Sequence, residues 1–403
     1  MHRRTLLSTI GAVAAGSVMP RARAATVVGV TATELKIGHT CPYSGPASAY
    51  SALGKLHVAF FQRVNDQGGV GGRKVNFITY DDAYTPSKMV EQVRRLVEQD
   101  EVACLFNTLG TPTNTAIHRY VNQRKVPHLF VATGADKWGD YKNFPWTIGW
   151  QPSYRTEAQI YGKYILQQNP KAKIAVLYQN DDFGKDYLIG LKDQLGADYA
   201  KFVVKEVSYE VTDATIDSQV VTMKDSGADV LVGVATPKFA AQLIRKVYDL
   251  NWKPLFVMTN VGISVGAVME PAGPEKSVGM ISSLYLKDST DHAYDNDAGM
   301  NEWRGFMKQY LPNADITDGG YIAAYGAAQT MLQTLKQCGD DFSRENIMKQ
   351  ATNIKDLVCG TVLNGIKVNT SPTNFHPIRQ LQLAKWTGKT WERFGEVMSG
   401  ASV

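Results

Sequence analysis

The sequence has few cysteines and none of the residue spacings typical of a zinc site. Four of its 403 residues are cysteines, namely Cys41, Cys104, Cys338 and Cys359. None forms a C-x-x-C pair or lies at metal-ligand spacing from a histidine, so we expect no metal site. In an oxidising compartment Cys338 with Cys359, or Cys41 with Cys104, could form a disulfide, and buried free thiols are the alternative.

A recognisable catalytic constellation is also missing. The seven histidines are scattered along the chain, and the "SGP" stretch does not match the G-x-S-x-G pattern of a nucleophile elbow. The acid pairs Asp81-Asp82 and Asp181-Asp182 have no histidine nearby, and adjacent residues of a strand point to opposite faces. We therefore expect neither an enzyme activity nor a cofactor.

Long hydrophobic runs are absent as well, since crossing a bilayer takes about 20 apolar residues. The first 24 residues, "MHRRTLLSTIGAVAAGSVMPRARA", have a basic start, a short apolar stretch and an A-x-A motif. This pattern predicts a secretory signal peptide that is cleaved after Ala24, and therefore a soluble periplasmic protein. The Arg3-Arg4 pair favours the twin-arginine route, with ordinary general secretion as the alternative.

An excess of positive charge disappears once the signal peptide is removed. The whole chain has 43 basic and 38 acidic residues, a net charge of +5. Arg3, Arg4, Arg21 and Arg23 all lie in the predicted signal and no acidic residue does, which leaves 39 against 38, or +1. No basic stripe remains, so we expect no nucleic-acid partner.

What the mature chain does have is a regular alternation of strands and helices. Continuous apolar runs such as "KVNFITY", "KIAVLYQ" and "DVLVGVA" are followed by stretches of helical period. This order predicts parallel sheets covered by helices on both faces. About 380 residues exceed one core, so we expect two lobes, with a boundary near Pro145 and Pro152 where the alternation breaks. The tail "PIRQLQLAKWTGKTWERFG" predicts a β-hairpin that turns at Thr387-Gly388.

The glycine-rich stretch "NDQGGVGGRKVNFITYDD" could at first sight be a phosphate loop. A phosphate loop follows a strand and opens a helix, because the anion lies on the helix N-terminus. Here the helix comes first and the strand follows. Gly68 and Gly69 suit a helix C-cap, and Gly71 and Gly72 suit a tight turn into the strand. We therefore predict a turn.

The same stretch carries a family resemblance. Together with "IGHTCPYSGPASAYSALGKLHVAF" and "IAVLYQNDDFGKDY", it resembles the Leu/Ile/Val-type periplasmic substrate-binding proteins of ABC importers. The resemblance extends from about Leu35 to Phe394. It implies an α/β fold of two doubly wound, Rossmann-like lobes, the type I periplasmic binding protein fold, joined by a three-crossover hinge. The expected lobes are 34–149 plus 282–362 and 150–281 plus 363–403. It also implies an ABC permease as partner, and we expect a monomer.

Ligands of open parallel sheets bind at the carboxyl ends of the strands. The loops that follow the strands are rich in hydroxyls, glycines and aromatic rings. The "TLGTPTNTA" loop precedes a helix, and its free N–H groups with the Thr111 and Thr113 hydroxyls predict a carboxylate site, helix capping being the alternative. The expected ligand-binding residues are Tyr43, Ser44, Tyr50, Tyr84, Gly110, Thr111, Thr113, Thr133, Gly134, Ala135, Trp138, Phe183, Thr236 and Asn260.

The resemblance further implies that groups at Thr111, Thr133 and Ala135 hold the ligand carboxylate, although Ala135 lacks a hydroxyl. The family's ammonium-binding glutamate falls on Val261, and no acid follows before Glu270. A buried ammonium without a counter-charge is unfavourable by several kcal/mol. We therefore expect a carboxylate without an α-amino group, held between aromatic rings that could instead simply pack the loops.

Two alternatives stay open. Asp181 and Asp182 could supply the charge for an ammonium group, so a branched-chain or other amino acid is the first alternative. A ligand-sensing subunit of a receptor is the second. Because the chain ends at Val403 without a membrane helix or a signalling domain, that role would require a separate partner.

Overall fold

The computed structural model describes residues 27–399 and has two parallel sheets with helices around them. The predicted signal peptide therefore lies outside the described residues. Within residues 27–399 no helix is long and apolar enough to span a bilayer. The same range contains no cluster of three metal-ligating side chains.

The first sheet contains five parallel strands in the order β2-β1-β3-β4-β5. Its central strands are fully buried because helices cover both faces, as the continuous apolar runs predict. The strands are β1 (Glu34–Cys41), β2 (Lys74–Asp81), β3 (Cys104–Phe106), β4 (His128–Val131) and β5 (Thr147–Gly149). The intervening helices are α1 (Ser51–Asp66), α2 (Pro86–Glu98) and α3 (Thr111–Gln123).

The second sheet has the order β12-β11-β10-β9-β8-β6-β7, and β13 pairs with β11. Strands β6 to β10 run parallel, whereas β11 to β13 are antiparallel additions at the edge. The strands are β6 (Ile174–Gln179), β7 (Val203–Tyr209), β8 (Val230–Val234), β9 (Leu255–Met258), β10 (Ile281–Leu284), β11 (Gln380–Trp386), β12 (Trp391–Arg393) and β13 (Met398–Ser399). The predicted tail hairpin is confirmed, with Gly388 at φ +93° in its turn.

Helices complete the two lobes. The second sheet is accompanied by α4 (Tyr154–Gln168), α5 (Asp182–Leu195), α6 (Tyr199–Phe202), α7 (Asp217–Asp225), α8 (Pro237–Asp249) and α9 (Glu270–Ala272). The chain then forms α10 (Ala298–Tyr310), α11 (Gly319–Gln337) and α12 (Arg344–Ala351), and α11 packs against α1 of the first lobe. The predicted type I fold of two lobes is therefore confirmed.

The chain passes between the sheets at three places. The first passage follows β5, the second follows β10, and the third returns the chain from α12 to β11. Leu286 and Val362 form a β-bridge, so the second and third passages run side by side. Strand β10 lies in the second sheet, and the exact residues that divide the lobes stay a prediction.

The glycine-rich stretch is a turn, as predicted. Helix α1 ends at Asp66, and the N–H of Gly69 donates to the carbonyl of Val64. Gly69 has φ +79°, and a Cβ there would lie 2.0 Å from the carbonyl oxygen of Arg73. Strand β2 starts at Lys74, so the glycines join a helix to a strand.

All four cysteines are free thiols and all are buried. The sequence left open either disulfides or buried free thiols. The structure has free thiols, and neither Cys338 with Cys359 nor Cys41 with Cys104 forms a disulfide. Burial raises the pKa of every one, to about 11 for Cys359 and about 12 for Cys338. Because the thiolate is the reactive form, a raised pKa makes a thiol less reactive. These cysteines therefore serve as small apolar side chains.

Candidate functional site

A cavity of about 170 Å³ lies between the two lobes, at the carboxyl ends of the parallel strands. Its wall is built from loops that follow β2, β3, β4, β8, β9 and β10, together with the beginnings of α1, α5 and α11. Half of the fourteen predicted ligand-binding residues line it, namely Tyr50, Tyr84, Gly110, Thr111, Phe183, Thr236 and Asn260.

Thr111 begins α3, and its hydroxyl lies 2.6 Å from the hydroxyl of Thr133. The Thr133 oxygen also receives the backbone N–H of Ala135 at 3.3 Å and the indole N–H of Trp138 at 3.4 Å. A hydroxyl has two lone pairs and one hydrogen, so these two donors direct the Thr133 hydrogen to Thr111. The Thr111 hydroxyl is then left to donate its own hydrogen toward the cavity.

Three predicted residues therefore lie one layer behind the wall rather than on it. Thr133, Ala135 and Trp138 are buried, and they contact the cavity through Thr111. Gly134 lies beside the first passage between the lobes, where its carbonyl accepts the N–H of Tyr154 at 2.8 Å. The backbone conformation of the loop after β4 decides which of its groups face the cavity. The residue types alone do not predict that conformation.

The remaining three predicted residues have local partners away from the wall. The Tyr43 hydroxyl is 2.7 Å from that of Thr79, and the Ser44 hydroxyl donates to Asp81. The Thr113 hydroxyl donates to the carbonyl of Leu109. This bond does not cap α3, since a capping side chain accepts a backbone N–H and α3 has no side-chain cap. None of the three lines the cavity.

Aromatic rings form much of the second-lobe wall. Tyr154 and Phe183 line the cavity with ring centroids 4.9 Å apart, and Tyr154 also stacks on the buried Tyr187 at 5.4 Å. Tyr285 lines the cavity as well. Tyr154 and Tyr285 were not among the residues predicted from the sequence, although Tyr154 lies two residues after Pro152 at the predicted lobe boundary.

Three charged residues line the cavity, namely Lys287, Asp288 and Asp318. The Lys287 ammonium donates to Asp297 at 2.8 Å and to the carbonyl of Gly360 at 2.9 Å. Asp288 accepts hydrogen bonds from Thr290, from Thr390 and from the N–H of Trp391. Their partners are residues of the hinge and the C-terminal hairpin, so the charges of Lys287 and Asp288 serve the fold.

Asp318 is different, because only one of its carboxylate oxygens has a partner within residues 27–399. Asp318 caps α11, and its Oδ1 accepts the N–H of Gly320 at 2.9 Å and the hydroxyl of Ser264 at 3.2 Å. Burial raises the pKa of this carboxyl. Asp318 comes from a helix far along the chain, so no strand-end loop pointed to it.

The acids Asp181 and Asp182 do not line the cavity. Asp181 caps α5 by accepting the N–H groups of Phe183 and Gly184, and burial raises its pKa to about 6. Asp182 forms a 2.7 Å ion pair with Lys137. Both acids therefore already have protein partners.

Val261, the position at which an ammonium-binding acid was expected to be missing, lines the cavity. Next to it, Asn260 lines the cavity, and its Nδ2 is buried without a hydrogen-bond partner in the described part of the chain. The backbone N–H of Asn260 donates to the buried carboxylate of Glu157 at 2.8 Å. Glu157 was not among the residues predicted from the sequence.

The lobes touch at the mouth of the cavity, so the structure has a closed arrangement. The N–H of Gly319 donates to the Ser264 hydroxyl at 3.0 Å, and the Tyr50 hydroxyl donates to the carbonyl of Val261 at 3.4 Å. Each bond joins a first-lobe residue to a second-lobe residue. A ligand in the cavity would contact both lobes.

Comparison with known proteins places this geometry in a family. The family model described as "Periplasmic binding protein" matches residues 34–390. The chain is 24% identical to Leu/Ile/Val-binding protein homolog 7 of Brucella suis biovar 1, over 89% of each chain.

Two solved structures share the fold. A branched-chain amino-acid ABC transporter protein from Thermus thermophilus with bound valine has a TM-score of 0.82 at 13% identity, covering 92% of this chain and 97% of that one. An R. palustris solute-binding protein in complex with benzoate has a TM-score of 0.76 at 18% identity, with the same coverage.

The family match covers nearly all of the described residues, and it agrees with the two lobes and the cavity between them. Members of this family bind small molecules and are not enzymes. The family also implies a periplasmic location. The chain therefore belongs to the periplasmic binding protein family, as a Leu/Ile/Val-type substrate-binding protein of the kind that serves ABC transporters.

Proposed function

We propose that this protein captures a small carboxylate that lacks an α-amino group and has an aromatic or other apolar body. It closes around this ligand as a monomer and delivers it to an ABC permease. The observation that carries the proposal is the hydroxyl chain from Thr133 to Thr111, which leaves a Thr111 hydrogen for an acceptor in the cavity. A carboxylate at the start of α3 would also interact favourably with the helix dipole.

The opposite wall suits an apolar ligand body. Tyr154 and Phe183 present rings to the cavity, and Val261 presents a branched side chain at the position where an amino-acid site would need an acid. Flat rings of this kind pack well against a ligand ring.

The size of the cavity agrees with such a ligand. One water needs roughly 10–15 Å³ of cavity, so a cavity of about 170 Å³ holds on the order of ten non-hydrogen atoms. Benzoate, phenylacetate and cinnamate fall in this range. The benzoate complex of the R. palustris protein supports the proposal at the level of the fold.

An amino acid is the second candidate, and Asp318 is the observation that favours it. Its second carboxylate oxygen has no partner within residues 27–399 and belongs to a residue that lines the cavity. Asp318 would give an ammonium group the counter-charge that Val261 cannot give. The valine complex of the Thermus thermophilus protein agrees with this candidate.

A thermal-shift screen followed by calorimetry tests the proposal. Benzoate, phenylacetate and cinnamate are compared with leucine and valine on the mature protein. We expect an acid without an amino group to stabilise the protein, and Thr111→Val to weaken its binding about 10- to 100-fold by removing one charge-assisted hydrogen bond.

Thr115→Val is the matched control. Thr115 lies one turn further along α3, is exposed, and bonds only to the carbonyl of Thr111 among the residues described. This variant should bind the acid as the wild type does. Equal binding by Thr111→Val and the wild type would contradict the proposed carboxylate site.

A further inference from the structure

Glu157 is a fully buried acid that forms no ion pair within residues 27–399. It lies in the first turn of α4 with 0% of its surface exposed. No lysine, arginine or histidine of the described chain lies within ion-pairing distance of it. A buried carboxylate without a cation must be stabilised by hydrogen-bond donors alone.

Three donors from three elements converge on this carboxylate. The hydroxyl of Tyr161 donates from α4 at 2.5 Å, and the hydroxyl of Tyr187 donates from α5 at 2.7 Å. The backbone N–H of Asn260, just after β9, donates at 2.8 Å. Together they join two helices to the loop that forms the second-lobe wall of the cavity.

The same network reaches the cavity at two further points. The Tyr161 hydroxyl is 3.1 Å from that of Ser283, which lines the cavity on β10. Tyr187 stacks on Tyr154, another wall residue. Glu157 itself does not line the cavity, so any influence on a ligand is transmitted through the residues that it holds.

We propose that Glu157 is a positioning residue of the ligand site, whose ionised carboxylate fixes the backbone of Asn260 and thereby holds Asn260 in its place in the cavity wall. The inference rests on the proposed function for its ligand. The hydrogen bond that carries it is independent of which ligand binds. Asn260 is suited to this role because it lines the cavity and its backbone N–H is held by Glu157.

Protonation of Glu157 should loosen this arrangement. A hydrogen bond to an ionised acceptor is about twice as strong as one between neutral groups. Burial raises the pKa of Glu157 to about 7, so its charge changes near neutral pH. The titratable groups around it are the hydroxyls of Tyr161, Tyr187, Tyr154 and Tyr285, which stay neutral there because burial raises their pKa values.

Ionised Glu157 would also repel an anionic ligand, but this effect is the smaller one. The ligand carboxylate is expected against Thr111 in the other lobe. Three donors already offset the charge of Glu157. We therefore expect the cavity to bind its acid more tightly when Glu157 is ionised.

Amide hydrogen exchange of residues 255–263 tests the positioning without any ligand. Exchange is followed by mass spectrometry from pH 5.5 to 8.5 and corrected for its intrinsic pH dependence. In the wild type we expect protection of the Asn260 amide to rise through about pH 7. In Glu157→Gln it should be several-fold lower and independent of pH.

Two further variants sharpen this test. Tyr187→Phe removes one donor to the carboxylate, so the midpoint of the wild-type profile should move to higher pH, and this variant decides the question if Glu157→Gln does not fold. Asp186→Asn is the control, since Asp186 lies beside Tyr187 on α5, burial raises its pKa to about 7 as well, and its partner is the N–H of Asp136. It should leave the Asn260 amide unchanged. A pH response that survives in Glu157→Gln would overturn the inference.

Binding of benzoate, as a probe, separates the two proposals. Glu157→Gln should bind benzoate about 5- to 10-fold more weakly than the wild type at pH 8.5 and equally at pH 5.5. Equal affinity at pH 8.5 would overturn the role of Glu157 in ligand binding. Failure of the wild type to bind any of the acids, with the expected exchange profile intact, would overturn the proposed function and leave the hydrogen-bond role of Glu157 supported.

Discussion

The backbone N–H of Gly266 donates to the carbonyl oxygen of Thr317 at 3.0 Å, across the mouth of the cavity. Gly266 belongs to the second lobe, whereas Thr317 precedes α11, which packs on the first lobe. A Cβ at Gly266 would lie 2.4 Å from Asp315 Oδ2 and 2.5 Å from Thr317 Oγ1. A larger residue at this position would therefore have to displace the Asp315 and Thr317 side chains in the closed arrangement.

We expect Gly266→Ala to hinder closure. The added methyl group meets the other lobe only when the lobes are together, so the open form is not affected. Affinity for the bound acid should fall about tenfold or more, mainly through faster dissociation, and small-angle scattering should show a larger radius of gyration with ligand present. Gly305→Ala in α10 is the control, because nothing lies within 4 Å of the added Cβ. Unchanged affinity in Gly266→Ala would show that this contact does not limit closure.

Val261→Glu tests whether the residue at position 261 decides between an acid without an amino group and an amino acid. A carboxylate on this wall should disfavour an acid without an amino group by like-charge repulsion, and binding should weaken at least tenfold at pH 8. Leucine affinity should rise in the same variant. Val261→Gln has a similar shape without the charge and should show a smaller effect in both titrations. Leucine binding that is the same in all three proteins would contradict the assigned role of this position.

The fold was largely predictable from sequence because strands buried on both faces need continuous apolar runs, as in β8. The place of Thr111 on the cavity wall was predictable too, because a hydroxyl-rich loop before a helix lies at the carboxyl end of a strand, and its role in binding a carboxylate stays a prediction. The direction in which a strand-end loop turns was not predictable, and for this reason Tyr43 and Ser44 lie away from the cavity. Glu157 and Asp318 were missed because helices from distant parts of the chain bring them to the site.

His39 should make the protein sensitive to acid. It is fully buried, and desolvation lowers its pKa from 6.5 to about 4. As the pH falls, the His39 ring binds a proton at a higher pH in the unfolded chain than in the folded protein. The neutral buried ring therefore contributes about 3 kcal/mol to the free energy of unfolding above pH 6.5, and this contribution is lost as the pH falls from 6.5 through 4.

Denaturant titrations from pH 7 to 4 check this expectation. His39→Asn keeps a donor for the carbonyl of Phe106, the partner of the His39 ring. It should lose less stability than the wild type over this range. His292→Asn is the control, because 92% of the His292 side chain is exposed. A wild-type pH profile in His39→Asn would contradict the assignment.

The free thiols lead to a separate expectation. Because Cys41, Cys104, Cys338 and Cys359 are buried and unpaired, a thiol reagent should find none in the folded mature protein and four after denaturation. A reducing agent should not change the melting temperature. A count below four after denaturation without reductant would show that a disulfide forms.

The most direct test of the proposed function is a pair of calorimetric titrations with 4-methylpentanoate and leucine, which differ only in the α-amino group. A second pair, 3-phenylpropionate and phenylalanine, repeats the comparison with a ring. We expect the acid of at least one pair to bind the wild-type protein at least tenfold more tightly than its amino acid. Tighter binding of leucine than of 4-methylpentanoate would contradict the proposed function and would point to Asp318 as the partner of an ammonium group.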